Sequence, residues 1–416
     1  MSRIAKTLAP LRHSDFRRLW TGTFFATAGQ WIQQATLGWV VYEVTRSPSV
    51  LGAVIGVRAI PMFLLAPITG YIADRYDKRR ALALSQMLMV VISLALAALL
   101  AYDAVEVWHL FTFSLLSGVG AVFDRTMRNT LVFSSVPRPD VANAVALNSI
   151  AFSVTRALGP GIAGFLIASV GAAWNFAIQG LLYVGVCLAV LSLSAPAAPL
   201  HARRPGTAWG DMKEGVRFAM TDPVARVTFV TGLVPPLLLI PGFSALMPIF
   251  AADVYKVGPE GLGLMLSAVG IGGIAGGLVA AWMTRYERTG VVQTLALVVF
   301  SAAMLCFALS PTMELALVWL ALAGIAEMVH FTIHVTTLQM CAPEEMRGRV
   351  SSLLPLFPAC ISVGALLAGA LADVLPVEIV VILLVALALI VVGTAWVRSE
   401  ALRNVTLSGL IGSEKK

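Results

Sequence analysis

The residues best suited to chemistry lie between positions 327 and 334. Glu327, His330 and His334 are spaced three and four apart, so on a helix they share one face. Histidine titrates near neutral pH, so such a row could relay protons. Two imidazoles four apart could instead share a divalent metal ion, and simple packing against a neighbouring helix is the third reading. Asp124 and Arg128 also stand four apart and would pair across one turn. Arg58 and Arg156 have no acid at three or four residues on their own helices, which points to an anionic or polar ligand, or to a distant acid such as Glu43.

These groups sit in an apolar chain. Of 416 residues, 58% are hydrophobic and 12% charged, with a mean hydropathy of +0.87. A soluble domain carries about 25% charge, so a soluble enzyme, a disordered chain and a fibrous protein are excluded. A helix crossing the bilayer needs about 20 apolar residues. Twelve stretches meet that need, near 20–44, 50–73, 81–101, 108–134, 142–167, 171–194, 224–252, 261–283, 290–309, 313–340, 350–373 and 377–397. They are too long and too uniformly apolar for a transmembrane barrel. Charged groups away from the ends of such helices are costly and are functional candidates by default.

The charge distribution sets the topology. With the N-terminus inside, 23 of the 29 Lys and Arg fall in cytoplasmic segments, and only Arg46 and Lys256 fall in outer loops. This positive-inside bias puts both termini in the cytoplasm of a multi-pass plasma (inner) membrane protein, and it explains the net charge of +7 without nucleic acid. The first span is too long for a signal-peptide core and should be retained. The four cysteines suggest neither a disulfide framework nor a zinc knuckle, and no cofactor or resident metal is implied. Partners would be a small-molecule substrate, protons and the lipid bilayer, with the chain a monomer.

Six spans lie on each side of a polar stretch at 195–223. The expected organisation is an N-terminal bundle (1–194), a cytoplasmic linker (195–223) and a C-terminal bundle with a short tail (224–416). Within the linker, Met212, Val216 and Ala219 form one apolar face of an amphipathic segment expected to lie on the membrane surface. The halves echo one another. Arg75-Tyr76-Asp77-Lys78 superposes on Arg285-Tyr286-Glu287-Arg288 at a shift of 210, and Val136-Pro137 on Ala342-Pro343 at 206. Repeats of this kind mark a transporter built from two bundles.

The stretch Gly70 to Arg80 resembles the G-x-x-x-D-R-x-x-R-R loop of the major facilitator superfamily. Leu11 to Trp20, Phe123 to Arg128, Arg156 to Pro160 and Arg347 to Val350 make the whole chain similar to the bacterial twelve-helix drug–proton antiporters of the macrolide-efflux and enterobactin-exporter group. The resemblance implies an all-α membrane fold of two six-helix bundles. It implies proton-coupled efflux of amphiphilic drugs or siderophores by alternating access. It also implies a cytoplasmic latch of Gly70, Asp74, Arg75, Lys78, Arg79 and Arg80 facing Arg347 and Arg349. Gly159, Pro160 and Gly164 resemble the antiporter Gly-Pro motif, a bend in the fifth span. The coupling candidates are Asp124, Glu327, His330 and His334. Gln30, Gln34, Arg58, Phe123, Arg128 and Arg156 are expected to line a substrate cavity. A divalent-metal or metal–chelate carrier is the alternative, and a non-transporting receptor or scaffold a second one. No nucleophile–base pair or nucleotide loop suggests an enzyme.

Overall fold

A computed structural model describes residues 8–194, 208–283, 286–354 and 356–412. Those residues are predominantly helical, and no strand occurs among them. Among them, eleven segments are long and apolar enough to cross a membrane. The first helix, Ser14–Thr45, is long enough but is not among those eleven. It carries threonines and glutamines that it buries inside its own bundle, including Gln33 and Thr36. Together these make the twelve-helix arrangement.

The chain clusters into two units. The first comprises Met1–Arg46, Val57–Arg204 and Gly258–Gly263; the second comprises Ser47–Gly56, Pro205–Val257 and Leu264–Lys416. Thus the first turns of spans 2 and 8 cluster away from the rest of their helices, for a steric reason. Gly52 lies against the backbone of Ala365 and Gly369, and Gly164 lies against Pro259 and Gly263. Each approach is closer than any side chain would permit.

In the first unit, span 1 (Ser14–Thr45) lies along spans 5 (Val141–Val170) and 6 (Ala172–Leu191). Span 3 (Lys78–Ala101) packs along span 6, and span 4 (Val107–Ser134) lies against spans 2 and 3. Span 2 is interrupted. Pro48–Val57 and Ala59–Arg75 are separate helices meeting at Arg58. Pro61 accounts for the break, because it has no N–H to donate to the Val57 carbonyl. Pro160, by contrast, sits inside an uninterrupted span 5, with Gly159 against Trp31 of span 1.

In the second unit, span 7 runs through Pro223–Val254 as a chain of short α and π turns. Pro235, Pro236, Pro241 and Pro248 remove four ladder donors, and π turns accommodate the lost bonds. Spans 8 (Gly258–Met283), 9 (Thr289–Ala308), 10 (Met313–Met340), 11 (Glu344–Ser351 with Leu356–Ala372) and 12 (Val377–Arg398) complete it. The glycine-rich run of span 8 is a close helix crossing, with Gly272 and Gly276 on the backbone of Ala321 and Ile325 in span 10. Met247, Phe250 and Met265 are fully buried, and the Phe250 ring lies tilted against Phe307 with centroids 4.6 Å apart. They belong to the core of this unit.

The linker segment departs from its expected place on the lipid surface. Its helix, Ala208–Thr221, turns Met212, Val216 and Ala219 into a hydrophobic cluster with Leu338, Ala342, Val350, Leu353 and Phe357. Gly215 rests on the Arg349 carbonyl, and Glu214 pairs with Arg349 at 2.7 Å. An amphipathic face does not reveal whether lipid or protein will cover it; here protein does. Residues 195–207, which include Arg203 and Arg204, lie outside the described residues.

Packing, not charge, should hold this helix. Gly215→Leu is expected to lower stability by about 1–3 kcal/mol through overpacking against backbone. Glu214→Ala removes a half-exposed ion pair and should cost about 0–1 kcal/mol. Thermal unfolding in detergent, with protease cleavage of the linker as a second reading, checks the order. A larger loss in Glu214→Ala than in Gly215→Leu would contradict it.

Candidate functional site

Two buried polar clusters stand out, one in each unit. In the first unit Arg128, which is 5% exposed, donates to Asp124 through Nε (3.1 Å) and Nη2 (2.5 Å). The helical spacing of four makes this pairing direct. Arg128 Nη1 reaches Thr23 of span 1 at 3.1 Å, and Gln86 of span 3 donates to Asp124 at 2.8 Å. Three helices therefore hold one neutral ion pair. Deeper in the same bundle Gln179 donates to Gln33 at 2.6 Å, and Asn175 donates to Thr36 at 3.0 Å. Gln179, Asn175 and Gln86 do not stand out in the sequence. Only polarity within an apolar run could have flagged them, and Gln30 and Gln34 show the same signal. Those two are half-buried, as is Phe123.

Arg58 sits at the break in span 2. Its stem and carbonyl pack on Gly118 of span 4, and its charge lies within electrostatic reach of Tyr183 on span 6. Arg156 lies over the Trp31 ring at 5.7 Å.

In the second unit His330 and His334 are each 2% exposed and stack at 5.5 Å. His330 Nδ1 lies 3.3 Å from the Gln293 carbonyl of span 9. His334 meets the Phe357 ring of span 11 edge-on at 5.1 Å, and its imidazole crowds Gly232 of span 7 so closely that no β-carbon would fit. Gln293 Nε2 donates to Thr231 at 2.9 Å. Around this pair the buried atoms His330 Nε2, both His334 ring nitrogens, Gln293 Oε1 and the Thr228 and Thr337 hydroxyls have no partner among the described residues. A buried polar atom left unpaired costs about 1–3 kcal/mol. Six such atoms thus gather around two histidines. Glu327, one turn before His330, is half-buried. Among the described residues no group of three or more His, Cys, Asp or Glu converges to hold a metal.

Of the expected latch, Gly70 and the side chain of Asp74 lie outside the described features, as do Thr284 and Arg285. Arg75 and Arg80 are exposed, whereas Lys78 and Arg79 are half-buried. Asp77 caps span 3 by accepting from the Arg79 amide at 2.9 Å. Partial burial pushes its carboxyl up, but the Arg79 side chain and amide outweigh this and hold it below the usual carboxylate range. Arg79 then donates to the Leu193 and Ser194 carbonyls at 2.5 and 3.0 Å, tying the start of span 3 to the end of span 6. Arg349 engages Glu214 of the linker helix. Arg347 is half-buried.

Residues 5–415 match the model of a family described as transmembrane secretion effector. The chain belongs to that family, within the major facilitator superfamily. It is 29% identical over 358 residues to the multidrug efflux pump Tap of Mycolicibacterium fortuitum, covering 84% of this chain and 87% of that one. It is 25% identical over 362 residues to the staphyloferrin A transporter of Staphylococcus aureus, covering 85% and 88%. A crystal structure of a variant of the nucleoside transporter NupG superposes with a TM-score of 0.77 at 15% identity, covering 92% of this chain and 99% of that chain. The last likeness is one of fold. The family and these relatives are transporters, and this chain is a multi-pass membrane protein of the same kind.

Proposed function

We propose that this chain exports amphiphilic small molecules, drugs or siderophores, in exchange for protons. Two six-helix bundles would alternate access to the substrate, with both termini in the cytoplasm. The observation that carries the coupling is the unsatisfied histidine pair of span 10. An imidazole nitrogen with no partner among the described residues can take up a proton when its surroundings change. Asp124 is a poorer carrier, because Arg128 already neutralises it. Glu327 is the remaining acid near the pair. The Asp74–Arg80 segment with Arg347 and Arg349 would close the cytoplasmic side, and the Gly159-Pro160 segment would shape span 5 for exchange rather than leak.

Everted membrane vesicles energised by respiration test this reading. Ethidium, tetracycline and a catechol carboxylate, added in turn, should include at least one compound that collapses part of the proton gradient and accumulates in the vesicles. If no compound does either, the exchange reading fails.

A further inference from the structure

We infer that the exported molecule carries an anionic group and that Arg58 receives it; this rests on the export reading above. Away from the terminal turns of the twelve apolar stretches, the charged residues are Arg58, Arg125, Arg128 and Arg156 against Asp124 and Glu327. Whatever the pairing, two positive charges remain over. A guanidinium in a span is tolerated only where it faces a partner, water or ligand. Arg128 is committed to Asp124. Neither Arg58 nor Arg125 has a hydrogen bond or ion pair among the described residues.

Of these two, Arg58 is built into the interior. It is half-buried, its stem is fixed against Gly118, and it stands where Pro61 interrupts span 2. Interrupted spans are where transport folds place their ligands, since such backbone is tolerated only beside protein or a water-filled cavity. Within electrostatic reach is the neutral Tyr183 hydroxyl, on the same helix as Gln179, whose Oε1 is buried without a partner among the described residues. The one acid within the interior of a span in this bundle, Asp124, is already paired with Arg128. A carboxylate or phenolate would meet a fixed guanidinium, which suits bidentate recognition of a carboxylate.

Fluorescein and rhodamine 6G share a ring system and carry opposite charge, so they separate the alternatives. In proteoliposomes with an imposed pH gradient, fluorescein should be transported about tenfold or more faster than rhodamine 6G. Arg58→Gln should raise the KM for fluorescein about tenfold or more, with kcat changed less, as expected for loss of a charge-assisted contact. Arg58→Lys should recover part of the loss. Fluorescein polarisation with the wild-type protein in nanodiscs should weaken from about 0.05 to about 0.5 M NaCl, which keeps the test alive if the glutamine variant does not fold. Transport of rhodamine 6G alone would overturn the anionic class while leaving export intact. Fluorescein transport indifferent to Arg58 would overturn the assignment of the residue. Failure of both dyes to bind or move would overturn the inference together with the export reading.

Discussion

Replacing His330 and His334 together with glutamine is expected to uncouple the protein while leaving it folded. Glutamine keeps hydrogen-bonding capacity in a region crowded with orphaned hydroxyl and amide groups, so the substitution does not simply add further unpaired atoms. It removes both imidazoles, the groups proposed to carry the proton. Substrate-driven proton movement in everted vesicles should fall about 10²-fold or more, the range general acid–base groups contribute. Counterflow, which exchanges labelled for unlabelled substrate without net proton movement, should persist within about threefold, a change worth under about 1 kcal/mol. Equal loss of both activities would mean that the pair supports packing alone. Unchanged proton coupling would shift the role to Glu327. The same substitutions test the metal-carrier alternative: calorimetry with Zn²⁺ should show no binding that replacing the histidines abolishes.

The second large effect concerns Asp124 and Arg128. Breaking a buried pair by removing one partner costs about 3–5 kcal/mol, because the other charge is left without compensation. Arg128→Met leaves Asp124 with Gln86 as its one donor among the described residues, so the variant should unfold several degrees earlier in detergent or fail to accumulate in the membrane. Asp124→Leu combined with Arg128→Met removes both charges from a site that three helices already close. Such double replacements are often neutral, so most of the stability should return. The double variant also separates structure from coupling. If the histidines carry the proton, it should retain substrate-linked proton movement; if Asp124 carries it, the double variant should be stable and uncoupled. A double variant less stable than Arg128→Met would refute the paired reading altogether.

The linker shows where pattern reading loses its hold. The spacing of Met212, Val216 and Ala219 predicts a helix with one apolar face, and that helix forms. Lipid and protein both accept such a face, and the choice fell to Gly215, which admits the Arg349 backbone, and to a complementary surface on Val350, Leu353 and Phe357. Glutamine in an apolar run gives a similar case. Gln30, Gln33 and Gln34 look alike along the chain, and only the position of span 6 selects Gln33 as the partner of Gln179.

From composition, run length and basic-residue placement the sequence determines a polytopic helical protein of two related halves. These properties depend on transfer from water to hydrocarbon and on the membrane's charge asymmetry, to which each segment responds largely by itself. It also determines that Asp124 can reach Arg128 and that His330 and His334 share a face, because helical spacing is a local rule. Tertiary structure alone decided that one pair is satisfied and the other is not. Hydrogen-bond partners for a buried group come from helices distant in sequence. Thr23 and Gln86 were brought to the first pair, whereas Gly232, Phe357 and a single backbone carbonyl were brought to the second.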